Sequence, residues 1–205
     1  MQPEIEFLFD FASPNVYFAY RTLPPILERT GAKLTITPVL LGGIFKATNN
    51  KSPFEAFTPI KGKFEYELLE IKRFVKKHGL SSYRLNPHFP VNSLMLMRAF
   101  IAAREAGVGD AFLEMSLKGM WEEGLKLDDS AALADAIDGA GMDAKALIAA
   151  AQTDPVKKEL ADNTAAAVTR GVFGLPTFFV GKEMFFGKER LGQVEEAVNA
   201  AKAVA

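Results

Sequence analysis

The 205-residue chain contains no cysteine. That absence removes structural disulfides, thiolate metal ligands, a protein thiol nucleophile and dithiol exchange together, so any sulfur chemistry here must use a thiol brought from outside. An excess of basic charge is missing too, with Lys plus Arg numbering 24 against 25 for Asp plus Glu. No field exists to hold a polyanion by counterion release, so nucleic acid is not an expected partner. No apolar run approaches the roughly 20 residues of a membrane span. The N-terminal stretch MQPEIEFLFDFAS is acidic where a secretory leader would be basic, and the expected location is the cytoplasm. The two histidines, His78 and His88, have no partners at ligand spacing, so neither is assigned to metal binding or acid–base work.

What is present is a hydrophobic fraction of 49%, enough for one substantial core. Glu4 to Phe11 is a short β-prone run ending at Ala12-Ser13-Pro14, after which Val16, Phe18, Ala19, Leu23, Ile26 and Leu27 recur at helical spacing. Ser13 is placed to cap that helix and Pro14 to be its first residue, where the missing amide hydrogen costs nothing. Pro24-Pro25 should interrupt the helix and Gly31 should close it. Lys33 to Leu41 then predicts a second strand, parallel to the first and ended by Gly42-Gly43. From Ile44 to about Pro59, turn-forming residues predict an ordered surface loop.

Periodicity predicts helices over Phe64 to His78, Ser93 to Ala106, Ala111 to Trp121, Ser130 to Ala140, Asp143 to Ala150 and about Pro155 to Arg170. Past Gly171 the pattern is strand, short turn, strand and terminal helix. A β-α-β start and a β-β-α finish are the two halves of a thioredoxin-like fold. The expected class is therefore α/β, thioredoxin-like, with a large all-helical insertion between the halves. Residues 1–44 and 165–205 would form the thioredoxin-like domain and 45–164 the insertion.

Two places stand out chemically. Ser13 lies at a helix N-terminus, where unpaired amides and positive potential favour an anion, including a thiolate; read alone, it is only a cap. Pro176, in Gly174-Leu175-Pro176-Thr177, enters a strand, where proline must sit at an edge, at the first residue or after a cis bond. In a thioredoxin-like fold this proline is cis and faces the first helix, which leaves the Leu175 backbone free to pair with an extended peptide. Phe186-Gly187-Lys188-Glu189 opens the last helix, with backbone amides at Gly187 and Lys188 and a carboxylate at Glu189 that by itself would only complement the dipole.

The segments FDFASPNVYFAY, PVLLGGIFKATNNKSP, HFPVNSLMLMRA, MWEEGLKLDD, GVFGLPTFF and FFGKERL resemble, in order from about residue 4 to residue 195, the 2-hydroxychromene-2-carboxylate isomerases. That family is similar in turn to kappa-class glutathione transferases. The resemblance implies glutathione as cofactor, held by Ser13, Asn50, Leu175, Pro176, Phe186, Gly187, Lys188 and Glu189. Ser13 would hydrogen-bond the sulfur and favour its thiolate, and Leu175 would hold the cysteinyl unit by main-chain bonds. The Gly187 and Lys188 amides would meet the γ-glutamyl carboxylate, and Glu189 its ammonium.

The resemblance also implies an isomerase cycle without net redox change: thiolate addition to a conjugated, ring-opened aromatic carboxylate, rotation about the resulting single bond, and elimination. Lys46 becomes the candidate for the substrate carboxylate or a developing enolate oxygen. Asn92 would face the substrate or cap a helix, and Trp121 would wall the substrate pocket or belong to the core. A homodimer is implied as well.

The sequence departs from the family at Glu189, usually Asp, at Lys188, usually small or an amide, and at Asn15-Val16, usually aromatic or serine. Two other functions compete. A kappa-type transferase or peroxidase would use the same Ser13 and Leu175 but consume the thiol. A non-catalytic module would take an extended peptide beside Pro176. A protein disulfide oxidoreductase is excluded for want of a cysteine.

Overall fold

Alternation along β1 (Glu4–Phe9) buries Ile5, Phe7 and Phe9 on one face and Leu8 on the other, so this strand must be covered on both sides. It lies inside a four-stranded sheet of order β2-β1-β3-β4. The computed structural model describes residues 2–204. β2 (Lys33–Pro38) runs parallel to β1 with Ile36 opposite Phe7. On the other side β3 (Thr177–Val180) is antiparallel with Phe178 opposite Phe7, and β4 (Glu183–Phe186) pairs with β3. The crossover from β1 to β2 is α1 (Pro14–Thr22) followed by α2 (Pro24–Thr30). The break falls at the proline pair, and Gly31 closes α2 at φ 59°, where a side chain would be strained.

Beyond β2 the structure corrects two expectations. The strand ends at Pro38, and Gly42-Gly43 lie inside α3 (Leu41–Thr48). The donors at the start of this helix are satisfied from afar: Leu40 N–H donates to Thr164 Oγ1 at 2.9 Å and Leu41 N–H to Asp10 Oδ2 at 2.7 Å. Gly43 allows a close approach, because a Cβ there would stand 3.1 Å from Thr164 Cγ2. The predicted loop is therefore two helices, α3 and α4 (Pro53–Phe57), the second capped by Ser52, whose Oγ accepts Glu55 N–H at 3.2 Å.

The helices α5 (Lys63–Lys77), α6 (Leu94–Glu105), α7 (Gly109–Lys118), α8 (Ser130–Gly139), α9 (Ala144–Ala150) and α10 (Asp154–Thr169) fall where the periodicity predicts them. One π turn, Gly119–Glu123, extends α7. The terminal α11 (Leu191–Val204) follows a 3-10 turn, Lys188–Arg190, and packs on β1, β3 and α2. Among the described residues no helix is long and apolar enough to cross a membrane.

Aromatic rings join sheet and helices. Phe7 stacks on Phe178 at 4.6 Å between centroids, and Phe11 meets Phe100 of α6 at 5.4 Å and Phe112 of α7 at 6.3 Å. All five are buried, and each such side chain contributes about 1.5–3 kcal/mol of transfer free energy. Trp121 belongs to this core and not to a substrate pocket. Its ring is fully buried against Tyr83 and Phe89, and its Nε1–H donates to Phe11 O at 3.0 Å, pinning the π turn to the segment that leads to Ser13.

Candidate active site around Ser13

Between β1 and α1 the chain turns through Asp10, Phe11 and Ala12. The Asp10 side chain is fully buried. Its Oδ1 accepts Ala12 N–H at 2.9 Å and its Oδ2 accepts Leu41 N–H, and the Ser93 hydroxyl lies close enough to favour the charged form. Burial pushes this carboxyl above the usual carboxylate range, against the pull of these three groups. One side chain thus ties the Ser13 turn to the start of α3, next to the start of α6. Sequence reasoning missed it; the only signal was an acid directly after an apolar strand.

Ser13 is 5% exposed, with extended φ and ψ of −101° and 117°. Its Oγ accepts Val16 N–H at 3.4 Å, which is a weak cap. A hydroxyl has one hydrogen to donate as well as lone pairs, so capping leaves the Ser13 O–H available to a second partner.

Beside Ser13 is a cavity of about 150 Å³ whose far wall is aromatic: Phe45 of α3, Phe54 and Phe57 of α4, Phe64 of α5, and Phe89. A groove of about 330 Å³ adjoins it and shares Asn15, Leu175 and Lys188 with it. Asn50, Pro176, Phe186, Gly187 and Glu189 line the groove. All eight residues expected around a cofactor are therefore brought to one cleft, although they come from both ends of the chain.

The Leu175–Pro176 peptide is cis. Neither the N–H nor the C=O of Leu175 is hydrogen-bonded among the described residues, so both groups are left unpaired in the bend that borders the cleft. The Gly187 amide is not available, contrary to expectation, because it donates to Pro176 O at 2.9 Å. The amides of Lys188 and Glu189 make no such bond among the described residues. Gly187 itself has φ 102°, a conformation suited to glycine. Asn50 is already engaged: its Nδ2 donates to Phe173 O at 2.7 Å and its Oδ1 accepts Lys51 N–H at 2.8 Å. In this arrangement it clips the α3–α4 turn to the segment before Leu175.

Lys188 is only 8% exposed. Its ammonium bonds the Glu189 carboxylate and lies 5.2 Å from the Phe74 ring and 6.0 Å from that of Phe18. Aromatic faces and one carboxylate thus offset part of the cost of burying this charge.

Lys46 and Asn92 do not reach the cleft. α3 turns Ile44 into the core and Phe45 towards the cavity, which leaves Lys46, about 100° further round, on the exposed face. Asn92 serves the start of α6, its Oδ1 accepting Leu94 N–H at 3.1 Å, and it borders a separate concavity with Arg98 and Asp128. The aromatic wall went unnoticed in the sequence because Phe45, Phe54 and Phe57 fall in the segment expected to be loop.

A buried hydroxyl at a helix N-terminus, next to unpaired backbone groups and an apolar chamber, suits a peptide-like anion held against a hydrophobic ligand. This architecture defines a class: the chain belongs to the DSBA-like thioredoxin domain family, which matches residues 4–199. Within that class it is similar to 2-hydroxychromene-2-carboxylate isomerase of Pseudomonas putida, 26% identical over 196 residues that cover 95% of this chain and 93% of the relative. A solved structure of 2-hydroxychromene-2-carboxylate isomerase superposes with a TM-score of 0.77 at 26% identity, over 96% of this chain and 95% of that one. Glutathione S-transferase kappa 1 of Rattus norvegicus is also 26% identical, over 91% of this chain and 87% of its own length. The resemblance first read from the motifs therefore holds across nearly the whole chain.

Proposed function

We propose that this protein is a glutathione-dependent isomerase of 2-hydroxychromene-2-carboxylate or a similar aromatic-degradation intermediate. The observation that carries this reading is the buried Ser13 hydroxyl at the start of α1, opposite the unpaired Leu175 backbone, in a chain without cysteine. The residues present fit a γ-glutamyl tripeptide. Leu175 N–H and C=O pair with its cysteinyl unit, the free Lys188 and Glu189 amides meet its γ-glutamyl carboxylate, and Glu189, more than half exposed, accepts its ammonium.

Glutathione, when bound, supplies a thiolate that adds reversibly to a conjugated carbon and leaves unchanged, so that a double bond is single while it rotates. Ser13 donates its O–H towards the sulfur and, with the α1 N-terminus, favours the thiolate over the thiol. The aromatic wall holds the flat substrate body and excludes water. We also propose a homodimer, on the strength of the family likeness.

The test incubates wild type and Ser13→Ala with 2-hydroxychromene-2-carboxylate, with and without glutathione, following the ultraviolet spectrum while free thiol is assayed. Turnover that needs glutathione, leaves the thiol count unchanged and collapses without Ser13 is the expected result. The likeness to kappa transferases supports one other reading, conjugation or peroxidase chemistry at the same serine. Thiol loss with electrophiles or peroxides, and no isomerisation, would replace the first reading with that one.

A further inference from the structure

Asn15 is the second residue of α1 and lines both the cavity and the groove. Its Oδ1 is buried and has no hydrogen-bond partner among the described residues. Buried polar atoms in folded proteins are nearly always paired, because the water they lose must be replaced. An orphaned acceptor on the wall of a cleft calls for a donor that enters the cleft.

Lys188 meets the same two linings from the turn on which α1 packs. An ammonium has three hydrogens to donate, and this one has a single carboxylate partner, Glu189. The other carboxylates on the cavity wall bond their own cations, Glu67 to Lys63 and Glu70 to Arg73, although Glu70 also feels the Lys188 charge. Lys188 also lines a third concavity with Phe74, and once a bound ammonium shares Glu189, which is 57% exposed, the Lys188 ammonium has donors left for a second anion. The remaining wall is aromatic. A ligand that satisfies all three features carries a hydroxyl hydrogen and an anionic oxygen side by side on a flat apolar body.

We propose that Asn15 and Lys188 together are the specificity-determining pair of this cleft, Lys188 taking the carboxylate and Asn15 Oδ1 the hydroxyl of an aromatic 2-hydroxy acid. This deepens the isomerase reading and rests on it, since 2-hydroxychromene-2-carboxylate bears both groups on one carbon. It also moves substrate recognition from the exposed Lys46 to Lys188.

The test uses mandelate and phenylacetate, which differ only in the hydroxyl. Their binding is measured by calorimetry in saturating S-methylglutathione, a thioether that cannot add to a substrate. If S-methylglutathione does not bind, the cofactor assignment falls and the same titrations are run without it. Wild type should prefer mandelate by about tenfold, the scale of one well-placed hydrogen bond. Asn15→Ala should erase that preference while leaving phenylacetate affinity unchanged. Lys188→Gln should weaken both acids by about tenfold or more, and Lys188→Arg should restore most of the loss.

Equal binding of the two acids to wild type, no binding of either, or a preference that survives Asn15→Ala overturns the proposal. Should Lys188→Gln fail to fold, the Asn15→Ala and Lys188→Arg results still decide it. Turnover of 2-hydroxychromene-2-carboxylate separates the two levels. Turnover without the mandelate preference removes the pair alone; the preference without turnover keeps the pair and removes the isomerase.

Discussion

On the Ser13 side of the cleft the lining residues Ser13, Leu175 and Lys188 are all less than a tenth exposed, and they sit next to β1, β3 and the α11 turn. On the facing side α4 and α5 contain no fully buried residue, and the Phe54, Phe57 and Phe64 rings are only partly covered. The first wall is fixed by strand pairing, by Asp10 and by the Trp121 pin, and it carries the polar groups. The second is mostly apolar, with Glu67 and Glu70 among its lining residues, and is held by half-covered rings such as Phe54, 4.9 Å from both Phe64 and Phe89. On the proposed function, the wall fixed by strand pairing would carry the chemistry and the half-covered wall would set substrate shape.

That contrast is testable, and the largest effect belongs to the rigid wall. Ser13→Ala is expected to lower kcat by about 10²–10³-fold, the cost of a lost donor to a developing anion. The melting transition should barely change, because the 3.4 Å cap it removes is weak. A large loss of stability instead would mean that Ser13 is mainly structural.

Next comes Asp10→Ala, which leaves the Ala12 and Leu41 amides without their acceptor and should cost about 3 kcal/mol in urea unfolding. The pH dependence has a definite sign. A folded pKa raised above the unfolded value means that the native state binds the extra proton, so the Asp10 contribution is fully present in acid and is lost as pH rises through the folded pKa. Wild type minus Asp10→Asn, measured from pH 3 upwards, should therefore fall with pH. A difference that rises with pH would contradict the burial argument.

On the adaptable wall, Phe57→Ala should raise KM for the aromatic substrate about fivefold, leave kcat nearly unchanged and cost about 1 kcal/mol of stability. A fall in kcat as large as that of Ser13→Ala would erase the distinction between the walls. Lys46→Ala should do least, with kcat/KM within about twofold and stability within about 0.5 kcal/mol, because the side chain is exposed on α3. A hundredfold loss there would restore the role that the family likeness gave it.

Most of the helices and the β-α-β and β-β-α ends were legible because helical and strand periods, Pro24-Pro25 and Gly31 are local signals. The segment from Leu41 to Phe57 was not, because α3 depends on Asp10 and Thr164 to satisfy its first donors, and neither is near in sequence. Lys46, Asn92 and Trp121 share one difficulty. Each is the right residue type for a site, and only packing says which way it faces.

By itself the sequence determined that no protein thiol can act here, that Ser13 heads a helix and that Pro176 enters a strand, since these follow from residue type and local conformation. Tertiary structure alone decided that Gly187 uses its amide on Pro176, that Asn50 clips a turn, and that Asn15 and Lys188 face one cleft. Those outcomes depend on which distant groups arrive within hydrogen-bonding reach, and the chain settles that only when residues from both of its ends close on the same sheet.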